Sequence, residues 1–343
     1  MASNEYDNNV TTALSLIDKS SNPLFVFDDD CDGLASFLML YNHTGKGMPM
    51  VIKSSPVLTL RFADIIALLN PDLVVVLDIA MIEENALSII NCPVIWIDHH
   101  EPQEPMNTIY INPRNIGYDY PTSLAVYRMI NKGLWLCIAG CISDYHYPDN
   151  EIEFFRKEYP ELLNNKNTID GIHYDSDMGK IIDILSFSMK GTVKDALSLV
   201  KKLSGINNPN ALINGEDNYR KLLAHYNNVK KKYDALKEDA LLKYNEQSGL
   251  LKVFLYDSDK WSLTHELSSE LASYYPDNII IVGRPYDSKY LLSLRSRNIV
   301  LRDNLVSAVS MVGGSGGGHP HACGANIPVD SIDDFIRIFG DSF

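Results

Sequence analysis

The chain has 343 residues, 45% of them hydrophobic, with 44 acidic against 30 basic side chains and a formal charge of −14. That length and composition describe a soluble globular chain of two domains with real cores. No stretch is long and apolar enough to span a bilayer, and the N-terminus lacks the basic start and apolar centre of a signal peptide, so the cytoplasm, without membrane attachment, is the expected setting. The acidity argues against wrapping long duplex DNA on a broad basic surface, because non-specific affinity comes from Lys and Arg contacts to phosphates. It leaves room for phosphates held through carboxylate-bound divalent metals and a small local basic patch. Five cysteines, Cys31, Cys92, Cys137, Cys141 and Cys323, are scattered and odd in number, unlike a disulfide framework. Cys137 and Cys141, four apart, fit one packed face of a helix better than a zinc site.

Residues 8–17 read as a short amphipathic helix, broken by Asn22 and Pro23 before an apolar run, Leu24 to Phe27, that predicts the first strand. The strand leads into Asp28, Asp29, Asp30, Cys31, Asp32 and Gly33, followed at once by an apolar helix over residues 34–41. Carboxylates this dense repel one another unless cations sit between them. Alternation sends Asp28, Asp30 and Asp32 one way, Asp29 and Cys31 the other. Gly33 permits a sharp turn into the helix. The plainer alternative is a solvated acidic loop or a set of helix-start carboxylates.

The pattern then repeats. A weak strand at residues 51–53, a helix at 58–69 and a β-branched strand at 73–77 lead to Asp78. As an N-cap for a helix beginning at Glu83, Asp78 fits poorly, because residues 79–82 intervene. After a helix at 86–90, the apolar run 94–97 delivers Asp98, His99 and His100. A strand of this kind is covered on both faces, which puts the polar triplet at the carboxyl edge of a parallel sheet, where open α/β sheets bind ligands. A polar turn after a buried strand is the plain alternative. A strand at 109–111 and a helix at 122–130 follow. An apolar stretch at 134–143 ends in Asp144, with His146 two residues on, and Gly140 within it signals close packing or close backbone approach. Acidic residues at successive strand ends predict an α/β fold, a doubly wound parallel sheet with a metal site on its edge, in a first domain of residues 1–163.

Residues 164–249 are expected to form a helical linker region, with pieces at 179–189 and 192–203 and then a long helix. Along that helix Leu222, Tyr226, Val229, Tyr233, Leu236 and Ala240 recur at spacings of three and four. It reads as a strut joining two domains; a coiled-coil dimer competes, but roughly two and a half heptads is short for one. Lys230, Lys231 and Lys232 fit a solvated face better than a nucleic-acid patch. Residues 250–343 are expected to form a smaller α/β domain, with strands at 251–256, 278–282 and 290–294 and helices at 264–274 and 305–311. Within it, Gly313, Gly314, Gly316, Gly317 and Gly318 precede His319. So dense a glycine run leaves backbone N–H groups free to cradle an anion, and the His, Pro and apolar residues that follow are not linker composition. Arg284, Lys289, Arg295, Arg297 and Arg302 form the densest local basic set. Ser293, Arg295 and Arg297 share one strand face, and planar guanidinium suits phosphate.

Asp28-x-Asp30-x-Asp32-Gly33, Asp78, Asp98-His99-His100, Asp144 and Gly316-Gly317-Gly318-His319 with Gly324 stand in the order of the motifs of the DHH phosphoesterase superfamily. The chain resembles that family over nearly its whole length. The family pairs a metal-binding DHH domain with a DHH-associated C-terminal domain. The Asp-x-Asp-x-Asp-Gly form resembles RecJ-type nucleases, since the nanoRNase and cyclic-dinucleotide branches usually begin that motif with His. The glycine–His tail sets the chain apart from the pyrophosphatase-like branch, which carries a different C-terminal domain. Two departures stand out. At this length the extra nucleic-acid-binding domain of bacterial RecJ is not expected, which speaks against processivity on long substrates, and Cys323 stands among the family's small residues beside Gly324.

The resemblance implies two Mn²⁺ ions, with Mg²⁺ as a substitute; oxygen-rich ligation with one imidazole suits such cations better than zinc. Asp28, Asp30 and Asp78 are expected to hold one ion and Asp32, Asp78, His99 and Asp144 the other, Asp78 bridging, for phosphodiester hydrolysis. His100 is expected to contact the scissile phosphate or donate to the leaving oxygen. Asp98 is expected to orient a neighbouring imidazole, or else to make a structural strand-end hydrogen bond. Arg295, Gly316, Gly317, Gly318 and His319 are expected to grip the terminal nucleotide across an interdomain cleft, which favours single strands entered from an end. The expected activity is a metal-dependent exonuclease on single-stranded DNA or RNA, with replication or repair proteins as candidate partners. Its rivals are a hydrolase of short oligoribonucleotides, linear or cyclic dinucleotides or 3′-phosphoadenosine 5′-phosphate, and a non-catalytic replication scaffold. The scaffold relatives have lost ligands, whereas every expected ligand is present here.

Overall fold

The computed structural model describes residues 2–53, 57–257 and 260–343. It comprises two compact units, Met1–Tyr226 and Asn227–Phe343, parted within the helix Arg220–Glu246.

The first unit is organised by a five-stranded sheet in the order Met48–Ile52, Pro23–Asp28, Leu73–Leu77, Val94–Ile97, Ile109–Ile111, with every pair parallel. Parallel neighbours cannot be joined by a tight turn, so the chain returns through crossovers that cover the sheet's faces. The strands accordingly read as continuous apolar runs, and Leu73–Leu77 is buried throughout. On one face Leu24, Val26, Val74, Val76, Trp96 and Tyr110 share a core with Ile52, Ala63 and Ile66. The Trp96 indole N–H donates to the Ile79 carbonyl at 2.8 Å. Elsewhere in the unit Phe25 and Phe27 meet Phe37 of the helix Cys31–Thr44, Phe27 stacked on it at 4.7 Å. Each such side chain contributes about 1.5–3 kcal/mol on burial, and this layer offsets the carboxylate repulsion at its edge.

Winding proceeds from Pro23–Asp28 outward to Met48–Ile52, then back across to Leu73–Leu77 and on in the other direction. The reversal falls between the strands that end at Asp28 and just before Asp78, the place where open α/β sheets form a crevice beyond their carboxyl ends.

Most elements match their sequence signals, with ends displaced by a few residues, but one changes type. Residues 134–143, grouped with the strand ends, form the helix Leu134–Ser143. Every residue from Trp135 to Ile142 is buried, so the segment lacks the one-sided stripe that separates a helix from a buried strand. Asp144 therefore closes a helix. Cys137 and Cys141 lie on one face of that helix with sulfurs 4.0 Å apart. Further helices, Asp149–Glu158, Ile169–Asp175, Asp177–Ser188 and Val193–Leu203, lead to the long helix.

In the second unit, Val229, Tyr233, Leu236 and Ala240 of the long helix are buried, while Lys231 and Lys232 face solvent. Buried Lys252 donates to the carbonyls of Tyr244 and Gln247 and so satisfies the helix C-terminus. The sheet order is Ser315–His319, Ala322–Pro328, Lys289–Arg295, Ile279–Tyr286, Leu251–Leu255; only the last pair is parallel, joined through the helix Thr264–Tyr274. Phe335 and Phe339 pack with Ile279, Ile281, Leu292 and Leu294 in its core. Gly316, Gly317 and Gly318 lie in an edge strand of this sheet. At two of the three the neighbours demand smallness: a Cβ on Gly316 would sit 2.7 Å from the Gly324 carbonyl oxygen, and one on Gly318, at φ +136°, 2.5 Å from that of Ala322. Among the described residues no helix is long and apolar enough to cross a membrane.

Candidate metal centre

The first acidic motif is shaped by the helix it opens. Asp30 is the N-cap of Cys31–Thr44, accepting from the Gly33 N–H at 2.9 Å. Gly33 is required for closeness more than for a turn, since a Cβ there would lie 2.9 Å from the Asp28 carbonyl oxygen. Asp29 turns aside to Lys53, 3.5 Å away. Asp32 is 1% exposed, and its two oxygens accept from the N–H groups of Thr122 (2.8 Å) and Ser123 (3.0 Å) at the start of the helix Thr122–Ile130. A helix N-terminus favours such an anion. A Cβ on Gly140 would lie 2.6 Å from Asp32 Oδ1, so glycine is what lets the helix Leu134–Ser143 press against this carboxylate and deliver Asp144.

Asp78 adopts a left-handed backbone, φ +59°, at the end of its strand, a conformation that Asp tolerates and that recurs at functional sites. Its carboxylate accepts from the Thr122 hydroxyl at 3.1 Å and lies 3.4 Å from His99 Nε2. The same imidazole nitrogen is 3.6 Å from Asp144 Oδ2. One donor atom each from Asp32, Asp78 and His99 fall within 4.8 Å of one another. Asp98 is fully buried; it accepts from the His100 backbone N–H at 3.0 Å, and its other oxygen is 2.7 Å from His100 Nδ1.

Electrostatics register the convergence. Burial, and then the charges of Asp32, Asp30, Asp144 and Asp28, push the Asp78 carboxyl well above its usual range. Asp28 is raised by burial and by Asp30 and Asp29. Asp30 is raised by burial against the opposing Gly33 hydrogen bond. Asp32 is pushed up to about 7 by burial and by Asp30, against its hydrogen bonds to Ser123 and Thr122. For His100, burial disfavours the charged ring, but the hydrogen bond and charge of Asp98 outweigh it and raise the pKa. Buried like charges of this kind are stable where a cation is shared between them. The donor set, carboxylate oxygens with an imidazole, fits a hard or borderline divalent cation.

Thr122, Ser123 and Asn112 are site residues that motif reading passed over. Asn112, fully buried, donates to the His100 carbonyl at 3.0 Å. Pro121 followed by Thr122 and Ser123 is helix-start composition, and that signal marks where a carboxylate could dock.

Arg295, Gly316, Gly317, Gly318 and His319 lie in the second unit. Arg295 donates to Ser269 Oγ (3.2 Å) and to the carbonyls of Leu294 (2.9 Å) and Cys323 (3.2 Å), and its remaining terminal nitrogen is 2.9 Å from His265 Nδ1. Ser293 accepts from Ser268 at 2.9 Å, and Arg297 donates to the Ser269 carbonyl. The helix Thr264–Tyr274 thereby fixes this face of the sheet. His319 pairs with Ala322 at the end of the glycine strand.

A doubly wound sheet with carboxylates converging at its switch point defines an α/β protein whose edge carries a donor set suited to divalent cations. Residues 24–163 match the DHH family, N-terminal domain, and residues 255–343 the DHHA1 domain, two matches that together support a phosphoesterase fold of the DHH superfamily. Among solved structures, RecJ of Thermus thermophilus in complex with Mn²⁺ superposes with a TM-score of 0.72 at 14% identity, covering 98% of this chain and 54% of that one. This chain therefore spans about half the length of that relative. The DHH domain of a member of the s1p family of ribosomal proteins gives 0.67 at 15% identity, covering 100% and 92%. An exonuclease RecJ bound to manganese gives 0.64 at 13%, covering 98% and 94%. At such identities the likeness is one of fold. No curated protein matches the chain in sequence.

Proposed function

We propose that the protein is a divalent-metal-dependent phosphodiesterase, a RecJ-like exonuclease acting on single-stranded DNA or RNA. The observation that carries the reading is the meeting of Asp32, Asp78 and Asp144 around His99, from residues far apart in sequence. Asp28, Asp30 and Asp78 would hold one ion and Asp32, Asp78, His99 and Asp144 the other, with Mn²⁺ the expected metal and Mg²⁺ a substitute. Such a pair supplies Lewis acidity to the attacking and leaving oxygens of a phosphodiester. His100, turned by Asp98, which favours its charged form, would donate to the phosphate or to the leaving oxygen. Arg295, already oriented by Ser269 and His265, would bind a phosphate of the terminal nucleotide with the glycine strand and His319 beside it.

A second reading, hydrolysis of dinucleotides or very short oligonucleotides, is favoured by the −14 charge, which disfavours a long polyanion track. Incubation with Mn²⁺ and end-labelled long strands, both DNA and RNA, beside linear and cyclic dinucleotides separates the two. A ladder from the long strand supports the exonuclease, and cutting of dimers alone supports the second reading. Full activity after Asp144→Ala in a folded protein sinks both.

A further inference from the structure

The helix Leu134–Ser143 ends in a turn where the His146 N–H donates to the Cys141 carbonyl at 2.8 Å and the Tyr145 N–H to that of Ile142 at 3.3 Å. In this Schellman pattern the residue at the position of Tyr145 must take a left-handed backbone, and its φ is +57°. Glycine adopts that conformation without strain; a bulky aromatic residue persists there only when its surroundings hold it. They do so through the phenol. The Tyr145 hydroxyl donates to Asp170 Oδ1 at 2.5 Å and lies 3.0 Å from the Tyr174 hydroxyl. Asp170 and Tyr174 sit on the helix Ile169–Asp175, where the Tyr174 ring is stacked on His173 at 4.4 Å, 9° from parallel.

The residue just before this strained turn is Asp144. Its backbone N–H is held by the Gly140 carbonyl at 3.0 Å, and its carboxylate reaches to 3.6 Å from His99 Nε2. The helix is also fixed from the inside, where Gly140 lets it touch Asp32. Glycine at position 145 would close the same turn with less strain, so tyrosine adds a tether that the turn itself does not need.

We propose that Tyr145 and Asp170 are positioning residues for the metal centre: the turn, clamped through the tyrosine hydroxyl, aims the Asp144 carboxylate at the second cation. This rests on the metal-centre reading given under Proposed function. The clamp acts on ion affinity through Asp144 and touches neither substrate nor metal.

The test is Mn²⁺ titration by calorimetry on the full chain, with melting in EDTA recorded in parallel. Tyr145→Phe and Asp170→Asn should weaken about tenfold the Mn²⁺ whose binding Asp144→Ala weakens, the loss typical of removing a partner that orients a ligand, and leave the other ion unchanged. Tyr145→Gly should weaken the same ion while keeping or raising the metal-free melting temperature, opposite movements that a merely structural role would not produce. In an Asp144→Ala background, Tyr145→Phe should have no further effect. Wild-type affinity for both ions in Tyr145→Phe and Tyr145→Gly overturns the clamp alone, as does a Tyr145→Phe loss that persists without Asp144. A wild-type chain that binds no Mn²⁺ overturns the metal-centre reading and the clamp with it.

Discussion

The carboxyl edge of the parallel sheet and the helix-facing side of the mixed sheet both gather charged groups, and they treat them in opposite ways. At the first, Asp32 and Asp78 are buried with half-buried Asp28 and Asp30 beside them, and loss of hydration and carboxylate repulsion raise the pKa values of all four. At the second, the Arg295 guanidinium is met by Ser269, His265 and two backbone carbonyls. A cluster that repels itself is eased when a cation is shared within it, whereas a guanidinium held by its own domain is ordered beforehand.

The largest effect should come from removing the charge that faces most of the others. Asp78→Asn is expected to lower Mn²⁺-dependent phosphodiester hydrolysis by at least about a hundred- to a thousandfold, the scale seen when a preorganised electrostatic group is removed. The same change relieves repulsion, so the metal-free variant should melt higher than the metal-free parent, at roughly 2–4 °C per kcal/mol for a unit of this size. Mn²⁺ at about a hundred times its dissociation constant should stabilise the parent by roughly 2.7 kcal/mol and the variant by much less. A metal-free variant that melts lower would break the contrast between the two regions.

Arg295→Lys examines the other side. Lysine keeps the charge but lacks the planar fork that meets Ser269, His265 and two carbonyls together and would meet the proposed phosphate. KM for the nucleotide substrate should rise about tenfold, roughly 1.4 kcal/mol, with kcat and Mn²⁺ affinity held. A fall in Mn²⁺ affinity would mean that the preformed site and the metal site are not separate.

Much of this contrast can be read in the chain itself. Apolar runs that stop at Asp28, Asp78 and Asp98 expose the first sheet and its edge because a parallel strand is buried on both faces and its first polar residue must emerge. Asp144 was legible as a candidate beside His99 but not as the end of a helix, since total burial erases the stripe by which Leu134–Ser143 would declare itself. The glycine run misleads for a related reason. Glycine signals freedom in a sequence, yet at Gly316 and Gly318 it is demanded by a neighbouring strand's backbone. Thr122, Ser123 and Tyr145 carry no motif; they matter through contacts to residues distant in sequence, which only the folded chain reveals.

The smallest effect concerns a buried carboxylate in the second unit that behaves unlike those in the first. Glu270, on the helix that supplies Ser268, Ser269 and His265, is 5% exposed. Burial alone would raise its pKa, but hydrogen bonds from Tyr233, Lys237 (2.9 Å) and Tyr274 (2.8 Å) outweigh burial and lower it. A carboxyl group with a lowered native pKa adds stability that is complete above the ordinary glutamate range and fades as pH falls through the native value. Glu270→Gln should therefore cost about 1 kcal/mol in urea unfolding at neutral pH, with the gap from the parent closing on acidification. At the metal edge the sign is reversed: with no cation bound, acidification should stabilise the first unit by neutralising Asp32 and Asp78. A Glu270→Gln deficit that stays constant with pH would show that its donors hold a shape rather than a charge, and the two regions would then differ in packing instead of electrostatics.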